Sequence, residues 1–447
     1  MLLEFKVSNY RSIGEEQIIS LIPATNQGEH PQNILTENKY QALNAISIYG
    51  PNGGGKSNLL KSLSLMDRII STSARESSTT SLPYDPFLLK ASWREKPTSF
   101  EISFIIEEHR YRYGFEFNAK EIKNEWLFRK TVGREVPVFN RKGETIDVSS
   151  GFDGSNTLID AAIEATRSNA LFLSTCDILN VDEAKRIMNW FAQLTMIDGL
   201  NTENERKRTV ELWQSDEYKE KIRSYITALA LNVVDIEMTS RDIEESDLGK
   251  NMSPTLRSEL IKVFKGQKQH NVFAVHRIYD EEGNPTDETI SWRWDEKESS
   301  GAQQVLKLSG PVIWALATGG VLIIDEIEAK LHPEMTLNTI DAFLNEKSNP
   351  NKSQLLFATH DTNLLTYSKL RRDQICFAEK NKWESTELYS LSDFIYYKEK
   401  DGEMIPTKER IDTDKEKRYI EGRYGAIPAF DNFKTFIRNK LWQEREN

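Results

Sequence analysis

The residues with the clearest capacity for chemistry are GPNGGGKSN at 50–58. Glycines leave backbone amides open to phosphate oxygens, and the helix start that follows adds a partial positive charge. The spacing matches GxxxxGK[ST] in full, a pattern in which the lysine reaches the β- and γ-phosphates and the next hydroxyl binds Mg²⁺. We therefore predict an ATP site with Lys56 as a catalytic residue and Ser57 as a magnesium ligand. The predicted nucleotide contacts in this stretch are Asn52, Gly53, Gly54, Gly55, Lys56, Ser57 and Asn58.

A second candidate is VLIIDE at 321–326, an apolar run that ends in two carboxylates. Parallel sheets bind ligands at the carboxyl ends of their strands, so this pair is expected at the same edge as the phosphate loop. Asp325 is predicted to hold Mg²⁺ together with Ser57. Glu326 is predicted to orient or deprotonate the attacking water as a catalytic general base. An apolar run before two acids is by itself a weak indication of a functional site. The presence of the phosphate loop in the same chain makes the indication stronger.

The stretch LLFATHD at 355–361 repeats this pattern and places His360 at the end of a further predicted strand. There His360 is predicted to act as a catalytic residue that hydrogen-bonds the γ-phosphate and senses its hydrolysis. A lone histidine at a strand end is more often structural, but the order of the three motifs favours function. The other histidines show no metal-ligand spacing.

A fourth candidate is SSGAQQ at 299–304, where a helix is predicted to begin. Exposed amides and a serine hydroxyl at a helix start form an anion site, so Ser300 and Gly301 are candidate phosphate contacts. Taken alone, this pattern describes a capped helix. Its position shortly before the acidic pair makes it a candidate site.

The elements around these motifs indicate an α/β fold. LNAISIY at 43–49 is a short apolar strand that leads into the glycine loop, and apolar residues at helical spacing follow the loop. This strand, loop and helix order is what distinguishes a true phosphate loop from a chance match. Beyond Ser300, strands and helices alternate, which is typical of a parallel sheet covered by helices.

The chain divides into four predicted segments. Residues 1–70 carry the phosphate loop, and 71–290 form an inserted segment that is first rich in strands and then helical. Within it, 240–290 is predicted to be polar and irregular. Residues 291–395 carry the remaining motifs, and 396–447 form a charged tail that ends in a helix.

Bulk composition excludes several classes of protein. A net charge of −11 argues against a chain that coats nucleic acid over its whole surface, although local basic patches remain. Two cysteines cannot build a disulfide framework, and the longest apolar run is shorter than a membrane span. These features predict a soluble cytoplasmic protein that does not associate with membranes.

In the order of its motifs the sequence resembles the ABC-type ATPases of the RecF, SMC and OLD group, and specifically the RloA-like ATPases of bacterial antiphage loci. The resemblance covers most of the chain. It is carried by the segments NYRSI, GPNGGGKSNLL, SSGAQQ, LIIDEIEAKLHP, FATHD, LYSLSDF and YIEGRYGAIP. It implies a P-loop ABC-type ATPase head with a split sheet, and an inserted mixed α+β arm between the Walker A loop and the signature motif.

The resemblance also implies further site residues and a dimer. Arg11 is expected to approach the nucleotide phosphates. Ser300 and Gly301 are expected to contact the γ-phosphate held by the other subunit of a head-to-head homodimer, which in turn could build a higher homo-oligomer. The expected cofactors are ATP and Mg²⁺.

Two segments depart from the family pattern. The signature is usually LSGGQ, whereas this chain has serine at 299 and alanine at 302. The dimer-facing loop at 328–332 carries Lys330 and His332 where small or acidic residues are common. These departures motivate an alternative function, a nucleotide-dependent scaffold or DNA-associated assembly protein with negligible turnover.

The main hypothesis is an ATP-hydrolysing dimeric switch, the sensor or regulator subunit of an antiphage defence system. It would control a separate effector, such as a Toprim-like or RloB-like nuclease, in response to DNA or a phage trigger. A nuclease activity of the chain itself is a weaker hypothesis, because IDTD at 411–414 and EIK at 121–123 are poor matches to a Toprim site.

Overall fold

The computed structural model describes residues 1–25, 27–198, 203–229, 232–244, 252–264, 268–400, 403–410 and 413–427. The first half of IDTD and the predicted terminal helix of the tail lie outside these ranges. Contacts divide the chain into two compact units. The first comprises Met1–Met196, Thr318–Glu328 and Leu337–Asn447, and the second comprises Ile197–Ala317 and Ala329–Thr336. These boundaries differ from the four predicted segments.

The strands are numbered in chain order. They are β1 (Leu2–Ser8), β2 (Gln17–Ser20), β3 (Ile34–Glu37), β4 (Tyr40–Leu43), β5 (Ala45–Tyr49), β6 (Thr98–Ile106), β7 (His109–Phe117), β8 (Ile122–Lys130), β9 (Val136–Lys142), β10 (Thr145–Val148), β11 (Leu194–Asp198), β12 (Asp235–Asp242), β13 (Lys268–Tyr279), β14 (Pro285–Arg293), β15 (Val321–Asp325), β16 (Gln354–Ala358), β17 (Ile375–Lys380), β18 (Thr386–Ser390), β19 (Ile395–Lys400) and β20 (Glu403–Lys408).

The α-helices are numbered in the same way. They are α1 (Lys56–Thr72), α2 (Asn156–Ala165), α3 (Phe172–Ile178), α4 (Asp182–Phe191), α5 (Glu203–Trp213), α6 (Asp216–Leu229), α7 (Pro254–Val263), α8 (Trp294–Lys297), α9 (Ser300–Thr318), α10 (Pro333–Leu344), α11 (Leu364–Tyr367) and α12 (Lys415–Ile420). Among the described helices, none is long and apolar enough to cross a membrane.

The first unit is built on two large sheets. One has seven strands in the order β10-β9-β8-β7-β6-β1-β2, and its described pairings are antiparallel. The other has six strands in the order β11-β15-β16-β5-β17-β18. In it β15, β16, β5 and β17 run parallel, so their carboxyl ends meet at one edge. The predicted α/β fold class with a split sheet is confirmed.

Buried amide side chains join these sheets in register. Gln354, at the start of β16, accepts a hydrogen bond from the backbone N–H of Leu2 at 2.6 Å. Its amide group donates to the carbonyls of Leu2 and Leu43. Because a buried amide costs free energy unless its groups are paired, these bonds favour one alignment of β1 and the end of β4 with β16.

The second unit contains a three-stranded sheet in the order β12-β13-β14, with α5 to α9. The prediction that 240–290 is irregular was wrong, because β13 and β14 form a long antiparallel hairpin there. Many of the side chains on β14 are exposed, so the alternating apolar pattern that marks a half-buried strand is weak. Pairing with β13 decides its conformation.

Candidate nucleotide-binding site

The phosphate loop lies between β5 and α1 and requires glycine for steric reasons. Gly50 has φ +152°, and a Cβ there would lie 2.1 Å from the carbonyl oxygen of Ala378 on β17. Gly55 has φ +105°, and its Cβ would lie 2.0 Å from Oγ1 of Thr386. Real side chains do not tolerate such distances, so the neighbouring strands set the shape of the loop.

Lys56 is the first residue of α1 and is buried at 5% exposure. Its ammonium group donates to the carbonyls of Gly50 at 2.8 Å and Pro51 at 3.3 Å. Burial lowers the pKa of Lys56 to about 8, although nearby Asp325, Glu328 and Glu326 oppose this change. A cation held inside the loop is well placed to meet the phosphates of a nucleotide.

Asp325 ends β15 at 4% exposure, and its Oδ1 is buried without a hydrogen-bond partner among the described residues. An orphaned carboxylate oxygen costs free energy unless a ligand satisfies it. Mg²⁺ prefers oxygen donors and is usually held by one or two protein groups with water and phosphate oxygens. In the described part of the chain no group of three metal-ligating side chains occurs. Asp325 therefore offers a carboxylate oxygen that fits Mg²⁺ bound together with a nucleotide. Ser57, the second residue of α1, is the predicted second ligand.

Glu326 follows Asp325 with φ +54°, a left-handed conformation that is uncommon outside glycine. The next residue, Ile327, donates its backbone N–H to the carbonyl of Ala358 at the end of β16. Glu326 lines the same pocket as the phosphate loop. The turn therefore directs this carboxylate into the pocket where a nucleotide would react.

His360 lies two residues beyond β16, and its Nδ1 is 3.4 Å from the ammonium nitrogen of Lys56. Burial and the charge of Lys56 lower the pKa of His360, while Glu328 and Asp325 act in the opposite direction. The imidazole is therefore neutral at pH 7 and accepts from Lys56 if its proton is on Nε2.

Glu326 and His360 line a pocket of about 1070 Å³ in the first unit, whereas Lys56 and Asp325 are not among its lining residues. The pocket is lined by Gly50, Pro51, Asn52, Gly53, Gly54, Glu326, His360, Thr362, Glu379, Lys380, Tyr419 and Ile427. Five of these were missed by sequence reasoning: Thr362 after His360, Glu379 and Lys380 at the end of β17, and Tyr419 and Ile427 in the C-terminal segment. Tyr419 and Ile427 lie in YIEGRYGAIP, one of the segments that carry the family resemblance. That resemblance was the available signal, but the segment has no typical catalytic residue and was not assigned to the site.

Arg11 and Asn58 take part in contacts beside the loop. Arg11 donates from Nε to Asp85 at 2.9 Å, and its guanidinium lies over the ring of Tyr10. Asn58 donates to the hydroxyl of Ser12 at 2.8 Å, and that hydroxyl is 2.9 Å from Oγ1 of Thr386. These bonds connect the N-terminal turn, the start of α1 and β18 into one polar network.

Ser300 and Gly301 belong to the second unit, where they begin α9. The helix start is capped by the preceding residue, because the hydroxyl of Ser299 accepts from the N–H of Ala302 at 3.1 Å. Ser300 is exposed. Gly301 is half-buried, and a Cβ added there would lie 3.2 Å from the carbonyl oxygen of Lys330.

The fold and the site together define a P-loop nucleotide-binding protein. Residues 46–366 match the family AAA_21, described as "AAA domain, putative AbiEii toxin, Type IV TA system". The match spans more than half of the chain, so the protein belongs to this family of P-loop ATPases. No curated protein matches the chain.

Solved structures that match this chain include two SMC head domains and a recombination mediator protein. The SMC head domain from Thermotoga maritima shares 12% identity at a TM-score of 0.40, covering 87% of this chain and 98% of that one. An Smc head from Pyrococcus furiosus, bound to the C-terminal domain of ScpA, shares 12% at 0.38, covering 87% and 96%. The recombination mediator RecF with ATP shares 14% at 0.31, covering 85% and 96%.

Proposed function

We propose that this protein is a Mg²⁺-dependent ATPase that works as a dimeric ABC-type switch. The observation that carries the proposal is the convergence of Lys56, Asp325, Glu326 and His360 at one edge of the six-stranded sheet. These residues come from three strand ends that are distant in the chain, and together they provide a cation, a metal ligand, a base and a γ-phosphate contact.

Each side chain has a distinct task in hydrolysis. Lys56 binds the β- and γ-phosphates, and Ser57 and Asp325 hold Mg²⁺, which neutralises charge on the phosphate oxygens when bound. Glu326 orients the attacking water and accepts its proton. His360 donates from its ring to the γ-phosphate, so its contacts change when that phosphate leaves.

The dimer is proposed from the signature segment. Ser300 and Gly301 begin α9 in the second unit, and a helix start attracts anions. The family resemblance assigns these residues to the γ-phosphate of a second copy. ATP would then favour the closed dimer by the difference in its affinity for the two states, and hydrolysis would release it.

The biological role follows from resemblance alone. We propose a cytoplasmic regulator of an antiphage defence system that controls a separate effector, of Toprim-like or RloB-like nuclease class, in response to phage or DNA. This assignment is an analogy between families, since a fold by itself does not define a function.

Steady-state hydrolysis of ATP by the purified protein with Mg²⁺ tests the enzymatic proposal. The wild type is expected to turn over at least about a hundredfold faster than Glu326→Gln, because loss of a general base costs that much or more. Equal rates in the two proteins would reject hydrolysis as the function. Chelation of Mg²⁺ is expected to abolish turnover.

A scaffold with negligible turnover is the alternative function. It is favoured by one observation, that the hydroxyl of Ser299 is already used to cap α9, in a signature that also lacks its second glycine. Light scattering with and without ATP separates the two functions. Assembly that depends on ATP but occurs without hydrolysis would support the scaffold.

A further inference from the structure

The loop after β16 that carries His360, residues 359–363, is here called the switch loop, and a carboxylate outside the catalytic set holds it. Oε1 of Glu328 accepts a hydrogen bond from the backbone N–H of His360 at 2.6 Å. The bond joins the turn after β15 to the switch loop. Both segments belong to the first unit, and the bond is short for an N–H donor to a carboxylate.

The other oxygen of this carboxylate is also informative. Oε2 of Glu328 is buried and has no hydrogen-bond partner among the described residues. A purely structural carboxylate in such a place usually has both oxygens paired, since an orphaned buried acceptor costs free energy. The hydrogen bond to His360 uses only one of the two carboxylate oxygens of Glu328, so it does not by itself explain why a carboxylate stands here.

The carboxylate of Glu328 acts on the pKa values of two groups at the site, His360 and Lys56. Glu328 raises the pKa of His360 against the lowering effects of burial and Lys56, and Asp325 acts in the same direction as Glu328. It opposes the effect of burial on Lys56 as well. The carboxylate thus influences both the position of His360 and the charge around it.

We propose that Glu328 is a positioning residue for ATP hydrolysis, which aligns His360 through the backbone N–H of the switch loop. The proposal rests on the function proposed above. Glu328 does not replace Glu326 as the base. It acts through His360, so its removal changes the rate of the chemical step more than the binding of ATP.

The switch loop offers a matched control on its other side. Glu416 of α12 accepts hydrogen bonds from the hydroxyls of Thr362 and Thr366 at 2.9 and 3.2 Å. It is also a carboxylate bound to this part of the chain, but it is not among the groups that alter the pKa of His360. Glu416→Gln should weaken hydrogen bonds in the same region, but it should leave the pKa of His360 unchanged.

The experiment compares Glu328→Ala, Glu328→Gln and Glu416→Gln in two assays. The first measures kcat for ATP and the Kd of a non-hydrolysable ATP analogue. Glu328→Ala is expected to lower kcat by about tenfold to a hundredfold and to change the Kd far less, because a hydrogen bond to a charged acceptor is lost. Glu328→Gln keeps an acceptor for the N–H of His360 and should recover most of kcat.

The second assay follows the six histidines by NMR of ring-labelled, nucleotide-free protein, with His360 assigned from His360→Gln. Glu328→Gln is expected to lower the pKa of His360 below its wild-type value, and Glu416→Gln is expected to leave it unchanged.

An unchanged kcat in Glu328→Ala, or a loss of kcat explained by weaker ATP binding, would overturn the proposal. The same holds if the pKa of His360 does not move in Glu328→Gln, or if it moves equally in Glu416→Gln. If the wild type itself shows no turnover, the proposed function fails, and the NMR titration still decides whether Glu328 controls His360.

Discussion

Two helices of this protein begin at candidate anion sites, and they begin in different ways. At the start of α1, no side chain among the described residues caps the helix, and Gly55 takes the cap position with a left-handed backbone. At the start of α9, the hydroxyl of Ser299 bonds the N–H of Ala302. The first helix start has no side-chain cap for its N–H groups, whereas the second is partly satisfied by the hydroxyl of Ser299.

Both helix starts have backbone N–H groups that can bind an anion, but the surrounding protein arranges them differently. The loop before α1 has its shape enforced by Ala378 and Thr386, so it is ready for phosphate before any ligand arrives. Such preorganisation lowers the free energy that binding must supply. The start of α9 is already capped by Ser299, and its remaining amides are the groups for which we propose a contact with a partner's phosphate.

The largest expected effect concerns the cation at the start of α1. Lys56→Ala is expected to weaken ATP binding by about a hundredfold or more, because it leaves phosphate charge in the pocket without its partner. Isothermal titration calorimetry measures the change. Lys61→Ala, on the same helix, is the control and should bind ATP normally. If Lys56→Ala bound ATP as tightly as the control, the claim that the start of α1 binds the phosphates would be wrong.

The next effect tests the shape of the two helix starts. Gly55→Ala places a methyl group into Thr386 at a positive φ, and it is expected to lower the free energy of unfolding by about 3 kcal/mol and to abolish ATP binding. Gly301→Ala should change stability by less than about 1 kcal/mol, since its Cβ meets one carbonyl at 3.2 Å.

Urea unfolding followed by circular dichroism measures both of these variants. Gly53→Ala distinguishes backbone strain from a steric clash, because Gly53 has φ +79° but no atom lies within 4 Å of an added Cβ. Equal losses in the variants of Gly55 and Gly301 would contradict the view that only the first loop is shaped by close packing.

A smaller effect lies further along α1, at the half-buried Asp67. Burial raises the pKa of Asp67 to about 7. The unfolded chain releases this proton near pH 4, so the cost of ionising the folded protein grows as pH rises from about 4 to 7. Asp67→Asn is expected to raise the free energy of unfolding at pH 8 by about 2 kcal/mol, and this gain should vanish below about pH 4.

Urea unfolding at several pH values tests this expectation. The exposed Asp341 on α10 provides the control, because Asp341→Asn should show no such pH-dependent gain. A gain in Asp67→Asn that stayed constant with pH would show that burial of the charge is not its cause.

The smallest effect concerns the cap of α9. Ser299→Ala removes the acceptor for the N–H of Ala302 and is expected to cost about 1 kcal/mol of stability. Ser299→Asp should retain the cap. Thermal unfolding compares the two variants, and an equal loss in both would mean that the cap contributes nothing.

Local patterns predicted three segments that the structure brings to one edge of the six-stranded sheet. The glycine loop, VLIIDE and LLFATHD each combine a strand with the residues at its end, so their chemistry follows from short stretches of sequence. The parallel pairing of β15, β16 and β5 then brings Asp325, His360 and Lys56 to one edge.

Other features depend on contacts that no local pattern carries. The role of Glu328 arises from its bond to the backbone of a residue far away in the chain. In the second unit, α9 continues through Pro311, a residue that usually interrupts a helix. There the hydroxyl of Thr209 accepts from the N–H of Gly310 at 3.1 Å and lies 3.2 Å from the carbonyl oxygen of Leu306.

By itself the sequence determined the class of the site, because phosphate binding needs glycine, lysine and carboxylate at fixed spacing beside a strand. Only the tertiary structure decided which neighbours shape and tune that site. Ala378 and Thr386 lie against the phosphate loop, and Glu328 bonds the backbone of His360. The C-terminal segment contributes Tyr419 and Ile427 to the pocket. Contacts between such distant parts of the chain leave no periodic pattern in a sequence.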